Sequence, residues 1–289
     1  ITQLMEFIKG PDFPTGATIC GTTGIYSAYT TGKGRIIVRA KAIIEEEKHR
    51  IIITEIPYQV NKTTLKATLA ECVKDKRVDG IRDIRDESSG RTGIRIVIDC
   101  RQDANCQIIL NQLYKFTQLQ DTFAANMLAI VNGVPKVLNL KEMLSYYVEH
   151  QENVVERRVK YDLAKAKAEM HIFEGYKIAI DHIDEIIKLI RSSESIPDAR
   201  AKLMESFGLS EAQAQAIVEM PLGRLSGLER TKVEERLAKL CALVADLEAI
   251  LADETKGKIK QIIKDDMTKI KERFGDARRT ELVPMEEEI

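Results

Sequence analysis

Tryptophan is absent from this 289-residue chain, and aromatic residues make up only 5% of it. Cores built without them must be aliphatic, which suits a helix-rich fold. Net charge is nearly missing as well: 44 basic and 45 acidic side chains leave −1 at pH 7. A chain without global positive charge can meet nucleic acid only through a local patch. No apolar run approaches the ~20 residues of a membrane span, and no signal peptide opens the chain. A cytoplasmic protein with no membrane partner is therefore expected. The five cysteines, Cys20, Cys72, Cys100, Cys106 and Cys241, include no CxxC pair. Their odd number cannot all pair within one chain, so reduced thiols are the simplest reading. The four histidines form no HxxxH or HExxH pattern, and no protein-bound metal is expected. A P-loop, a GxGxxG turn and a GxSxG elbow are all missing, so no residue is assigned a catalytic role. The chain starts at Ile1, in mid-pattern and without Met, which suggests a piece of a longer protein.

What is present divides the chain at about Asn139. Before it, strands and helices mix. Gly10-Pro11-Asp12-Phe13-Pro14-Thr15-Gly16 is too dense in turn formers for regular structure. A short helix over Gly24 to Tyr29, strands over Ile36 to Ala40 and Arg50 to Ile56, and a helix over Thr64 to Lys74, with Asn61 and Thr63 both open as its cap, follow. A polar loop spans Asp86 to Gly93. Ile94, Ile96 and Ile98 then mark a strand, Asn105 to Leu119 a helix, and Asn132-Gly133 a hairpin between Met127–Val131 and Pro135–Leu138.

After Asn139 helix alone dominates. Leu144, Val148, Val155, Val159, Leu163, Ala166, Met170 and Phe173 stripe a helix from Leu140 to about Ile180, about 60 Å long at 1.5 Å per residue. Val233, Leu237, Leu240, Val244, Leu247 and Leu251 recur at alternating steps of four and three, the seam of a returning coiled-coil helix from Leu228 to Leu251. Short helices over Asp198 to Phe207 and Ser210 to Met220 lie between, and a last amphipathic helix runs to Gly275. The tail from Asp276 is expected to be mobile. The expected architecture is α+β: a mixed α/β tower domain (1–139), a long antiparallel coiled-coil stalk with a terminal helix (140–180 and 228–289), and a helical knob (181–227).

Two places invite function. Gly32-Lys33-Gly34-Arg35 combines close backbone approach, exposed amides and charge, which suits a phosphate. A tight turn into a strand with solvated basic ends explains the same letters. Arg39 and Lys41 extend the patch if they share its face, and Lys62 joins only through tertiary contact. The segment from Leu209 to Leu228, with Ile217, Met220, Leu222 and Leu225, holds more apolar surface than a hairpin tip can hide against itself, which favours a self-association surface over packing within the knob. The acidic runs Glu45-Glu46-Glu47 and Glu286-Glu287-Glu288 read as solvated surface.

The motifs also carry a resemblance. Gly10 through Gly16, Ala28-Tyr29-Thr30-Thr31-Gly32-Lys33-Gly34-Arg35 and Glu55-Ile56-Pro57-Tyr58-Gln59-Val60-Asn61-Lys62 resemble the tower region of the DNA gyrase A family of bacterial type IIA topoisomerases. So do Pro135-Lys136-Val137-Leu138-Asn139-Leu140, His171-Ile172-Phe173-Glu174-Gly175 and Ala212-Gln213-Ala214-Gln215-Ala216-Ile217. The corresponding part of topoisomerase IV is similar here, but Leu225-Ser226-Gly227-Leu228-Glu229 and Arg273 to Glu281 look more like gyrase. The resemblance implies a homodimeric breakage-reunion subunit that works on double-stranded DNA with a gyrase B partner, which binds most of the ATP and Mg²⁺ the reaction uses. It implies a tower that carries DNA arms and a knob that forms the exit gate, with no cofactor in this stretch. The family's nucleophilic tyrosine stands in an Arg-Tyr-Thr context that no tyrosine here matches, so that role is transferred to none. One departure is Met220-Pro221-Leu222-Gly223-Arg224-Leu225, where the family commonly has Met-Arg-Leu-Gln-Arg-Leu; the gate helix is expected to end early.

Overall fold

The structure, a computed structural model, describes residues 1–285, except the side chain of Leu228. The acidic run Glu286-Glu287-Glu288 lies outside the described residues. The chain forms two compact units, Ile1–Tyr147 with Gly275–Ile289, and Val148–Phe274. Both helices and sheets are present, as the α+β reading required.

The first unit contains α1 (Thr2–Met5), β1 (Thr18–Cys20), α2 (Thr23–Thr31), β2 (Lys33–Arg39), β3 (Lys41–Glu45), β4 (Arg50–Glu55), α3 (Lys62–Lys74), β5 (Ile81–Asp86), β6 (Ile96–Cys100), α4 (Cys106–Phe116), β7 (Gln120–Asn126), β8 (Leu128–Val131), β9 (Val134–Val137) and β10 (Glu281–Val283). Two four-stranded sheets result, ordered β10-β1-β2-β7 and β3-β4-β6-β5, with β8-β9 as a separate hairpin. The isoleucine-rich β4 is buried on both faces, Ile52 with Val97 of β6 on one, while on the other Ile51 and Ile53 join Ile96 and Ile98 of β6 under Leu65 and Leu69 of α3 and Leu113 of α4, all fully buried. Asn61 caps α3, its Oδ1 accepting from the Thr63 and Thr64 amides at 2.9 and 3.1 Å. Asn105 caps α4 in the same way. Asn132 (φ 51°) and Gly133 (φ 80°) supply the two left-handed residues that a two-residue hairpin turn requires.

The tail does not match its expected mobility. Thr280 is 1% exposed, and β10 pairs parallel with β1, so the segment after Gly275 belongs to the first unit rather than to the terminal helix. The cause is a dense set of hydrogen bonds to the first turn-rich loop. Arg278 donates through Nη1 to the Gly10 carbonyl at 3.0 Å and through Nη2 to that of Pro11. The amides of Arg279 and Thr280 donate to the Asp12 carboxylate at 3.0 and 2.9 Å. The Thr280 hydroxyl accepts from the Phe13 amide at 2.8 Å and donates to the Gly16 carbonyl at 2.9 Å. The Thr280 amide bond, helped by Arg279 and Arg278, holds the Asp12 carboxyl below its ordinary range. Two motifs more than 260 residues apart are thus one structure.

The second unit is built on α5 (Leu140–Asp181) from Val148 onward, α6 (Ile183–Arg191), α7 (Ile196–Phe207), α8 (Glu211–Val218), α9 (Gly227–Ala252) and α10 (Gly257–Phe274). Val155, Val159 and Ala166 of α5 meet Val244 and Leu247 of α9 and Ile259 of α10 in one apolar cluster. Ion pairs fix the direction: as α9 rises through Arg230, Arg236 and Glu248, its partners on α5 fall through Asp181, Glu169 and Lys167. The two helices are antiparallel. A second cluster joins Ala179, Ile186, Leu203, Leu209, Ala214 and Ile217. At its edge, the Ser210 and Gln213 capping box of α8 docks on α5, where Gln213 Nε2 donates to the His171 carbonyl at 2.8 Å and His171 Nε2 meets Ser210 Oγ at 2.6 Å. A Cβ at Gly175 would lie 2.9 Å from the Gln213 side chain, so glycine admits that contact. No helix among the described residues is long and apolar enough to cross a membrane.

Candidate nucleic-acid interface

The Gly32-Lys33-Gly34-Arg35 stretch is a junction between α2 and β2. Gly32, at φ 81°, ends α2 in the left-handed conformation, its amide donating to the Ala28 carbonyl at 2.8 Å. β1 pairs only with Ile37–Arg39 of β2, and α2 lies against the stretch before it. The approach is backbone to backbone. A Cβ at Gly24 would stand 1.9 Å from the Arg35 carbonyl oxygen, and one at Gly34 would stand 2.3 Å from that of Gly24. The glycines therefore serve packing rather than an anion nest. The strand period does the rest: Gly34, Ile36 and Val38 face one way, while Lys33, Arg35, Ile37 and Arg39 face the other.

On that open face Lys33 and Arg35 are exposed and form no ion pair among the described residues. Arg39 shares the face but is engaged, with Nε donating to Gln120 Oε1 at 2.5 Å and its guanidinium 5.0 Å from the Tyr114 ring centre. Lys41 opens β3 in the other sheet and pairs with Glu281 at 2.9 Å, a contact that raises its pKa. Lys62, on α3, pairs with Asp86 at 3.1 Å alongside Lys66. Hydrogen bonding from Ser88 and then from Lys66 holds the Asp86 carboxyl far below its ordinary range. Of the five basic candidates, the fold brings three to one face and leaves two of those uncommitted. Reading letters alone missed the groove they border: a cleft of about 810 Å³ lined by Thr23, Ser27, Lys33, Arg35, Asn126 and Met285, among others. Its β7 wall, Gln120–Asn126, has no strong strand signal in sequence.

The four candidates in the second unit separate likewise. Ile217 is 3% exposed and packs inside its own chain, and Met220 sits at the rim of the same cluster. Leu222 is 82% exposed, and Leu225 is half-buried, in the short 3₁₀ turn Leu222–Leu225 that follows Pro221. Helix α8 stops at Val218, as the proline led one to expect. Among the described residues no group of three His, Cys, Asp or Glu side chains is placed to hold a metal ion.

A family model that describes the A subunits of DNA gyrase and topoisomerase IV matches residues 1–268. The chain belongs to the DNA gyrase/topoisomerase IV A family. It is 55% identical to the DNA gyrase A protein of Clostridium acetobutylicum over 292 residues, covering 100% of this chain and 35% of that protein. It is 54% identical to the DNA gyrase A protein of Staphylococcus aureus strain MRSA252 over 285 residues, covering 98% of this chain and 32% of that protein. The chain thus spans about a third of the length of these relatives. Both carry the gyrase name, in line with the gyrase-like runs at Leu225 to Glu229 and Arg273 to Glu281. In this member of the gyrase/topoisomerase IV A family, the Gly10 to Gly16 motif and the Arg278-Arg279-Thr280 motif are held together by the bonds described above.

Proposed function

We propose that the chain is the part of a gyrase breakage-reunion subunit that supports the arms of a cut duplex and carries a dimer gate. In this reading the full protein supercoils DNA by ATP-dependent double-strand passage in the cytoplasm, as a homodimer with two gyrase B partners. ATP and Mg²⁺ are held mainly by the B partner, and the piece alone neither cleaves nor relaxes DNA. The observation that carries the DNA role is the pair Lys33 and Arg35, exposed and without a carboxylate partner among the described residues, on one sheet face beside a cleft. From Lys33 to Arg39 the strand runs about 20 Å, or about six base-pair steps of a duplex. For the gate, the support is Leu222, which projects into solvent from the turn before α9. Ile217 serves the knob's own core instead, so a gate test belongs at Leu222.

The reading is tested by titrating a linear duplex with the chain at several salt concentrations. Binding that weakens with salt and is lost in Lys33→Glu with Arg35→Glu is expected; each cation in contact contributes about 0.9 to the slope of log K against log salt. Salt-independent binding, or none, would leave a dimerisation scaffold without DNA contact as the better account.

A further inference from the structure

The β8-β9 hairpin carries apolar side chains where a covered protein would not. Leu128 is 56% exposed, Ile130 76% and Val137 40%. Leu128 stands opposite Val137, and Ile130 opposite Pro135, so all four share one face. A two-stranded hairpin has no second layer of its own to bury such a face.

The position of the face says what covers it. Exposed and half-buried residues alternate without interruption from Thr122 to Ile130, so the open side of β7 continues into β8. Asn126 is paired with Lys33, and the Met127 amide donates to the Gly32 carbonyl at 2.8 Å, tying the hairpin to the basic junction. Leu128 follows Asn126 by two residues, about 7 Å along the strand. One continuous face therefore bears Lys33 and Arg35, then Leu128 and Ile130. No Asp or Glu occurs between Asp121 and Glu142; Lys136 pairs with Ala129 and stands on the hairpin's other face, so the cations beside Leu128 and Ile130 are Lys33 and Arg35. An apolar surface that continues from two cations along a stretch of chain without acids matches a duplex minor groove, where sugar and base edges lie between two rows of phosphates.

We propose that the Leu128 and Ile130 face of the β8-β9 hairpin packs into the minor groove of the duplex whose phosphates Lys33 and Arg35 hold. The proposal rests on the DNA-arm reading and adds a second kind of contact to it. Cations supply salt-dependent affinity, while the hairpin supplies salt-independent affinity and a fixed register on the groove.

The absence of tryptophan gives a direct test. Ile130→Trp places a single indole on the hairpin, and a fluorescently labelled linear duplex of about three turns reports binding independently through its anisotropy. Quenching of the indole in step with the anisotropy change is expected. Leu128→Ser with Ile130→Ser should weaken binding about tenfold with the salt slope unchanged, because no charge is removed. Lys33→Gln should instead lower the slope by about 0.9. These positions are exposed, and an unchanged circular dichroism spectrum confirms the fold of each variant. Anisotropy that reports binding while the indole stays silent and the serine variant binds normally would overturn the hairpin's role and leave the DNA-arm reading intact. Indole changes that follow protein concentration without DNA would overturn it in favour of a contact between copies. An anisotropy that never changes would remove the DNA-arm reading and the proposal together.

Discussion

The two units reach stability by opposite routes. In the second, a stripe repeats: Val233, Leu240, Val244 and Leu247 are buried along one seam, with Leu237 half-buried on the turn between the first two, and neighbouring positions are nearly equivalent. In the first, single atoms decide. Gly24 and Gly34 let a helix touch a strand backbone, and Thr280 closes a loop more than 260 residues away. A periodic core spreads its energy over many like contacts, whereas a junction of backbones concentrates it in a few that have no substitute.

Gly24→Ala is the sharpest way to break that contrast and has the largest expected effect. The added Cβ would lie 1.9 Å from a carbonyl oxygen, and neither partner is a flexible side chain that could move aside. Destabilisation of the first unit by more than about 3 kcal/mol is expected, beyond ordinary overpacking of a core. Denaturant unfolding followed by hydrogen exchange should show the loss in β2 and α2 while amides of α5 and α9 keep their protection. Loss of protection in both units together would mean that they do not differ in this way.

Leu240→Ala tests the other side. Leu240 is 1% exposed in the middle of the seam, so its removal costs transfer energy and leaves a cavity. A cost of about 2–3 kcal/mol is expected, the low end for such a change, because side chains along a repeating stripe can close around the gap. A midpoint shift well above that range in urea unfolding would show that the seam is as position-specific as the glycine junction.

This difference also explains what the sequence made legible. The 42-residue α5 and the seam of α9 could be read because their signal repeats over many turns. Strands β4 and β6 of the first unit were visible as isoleucine runs. By contrast, β5 reads Ile-Arg-Asp-Ile-Arg-Asp, with half-buried residues at 81, 84 and 85, a spacing that suits a helix rather than the strand it forms. β1 and β10 have only three residues each and exist because they pair with one another across the whole chain. At the candidate site, Lys33 and Arg35 could be picked out as charge beside glycine. The reason for the glycines lay in a helix–strand contact that letters do not display. Lys41 and Lys62 looked equally basic, yet Glu281 and Asp86 occupy them through contacts made only in the fold. Ile217 looked like surface because its cluster partners Ala179 of α5, Ile186 of α6 and Leu203 of α7 stand between 14 and 38 residues earlier in the chain.

A smaller effect is expected at Asp12, where the specificity of the first unit can be titrated. Its carboxyl is held below the ordinary range by the Thr280 and Arg279 amides, so the folded state favours the ionised form. A depressed folded pKa adds stability above the unfolded value of about 3.9, and that contribution is lost as pH falls through the folded value. Asp12→Asn should therefore cost about 1 kcal/mol at neutral pH, since Asp12 is exposed and its two bonds compete with water. The gap between the variant and the parent should narrow below about pH 4. Thermal melts at neutral and acid pH measure this directly, and a gap that stays constant would assign the loss to something other than the carboxylate charge.

The smallest effect belongs to the second unit and concerns its most visible polar contact. Lys167 and Glu248 approach to 2.6 Å across α5 and α9, but each side chain is 49% exposed. Two flexible side chains lose rotamer freedom to form such a pair, and water and salt screen most of its attraction. A double-mutant cycle of Lys167→Ala and Glu248→Ala should give a coupling below about 0.5 kcal/mol that fades in high salt. The pair's importance is directional instead, because parallel packing of the two helices would separate it, together with Arg236–Glu169 and Arg230–Asp181. Three weak contacts, each worth little to stability, can still decide between orientations, since the apolar seam alone is nearly as satisfied either way. A coupling above about 1 kcal/mol would make the second unit depend on single contacts, as the first does.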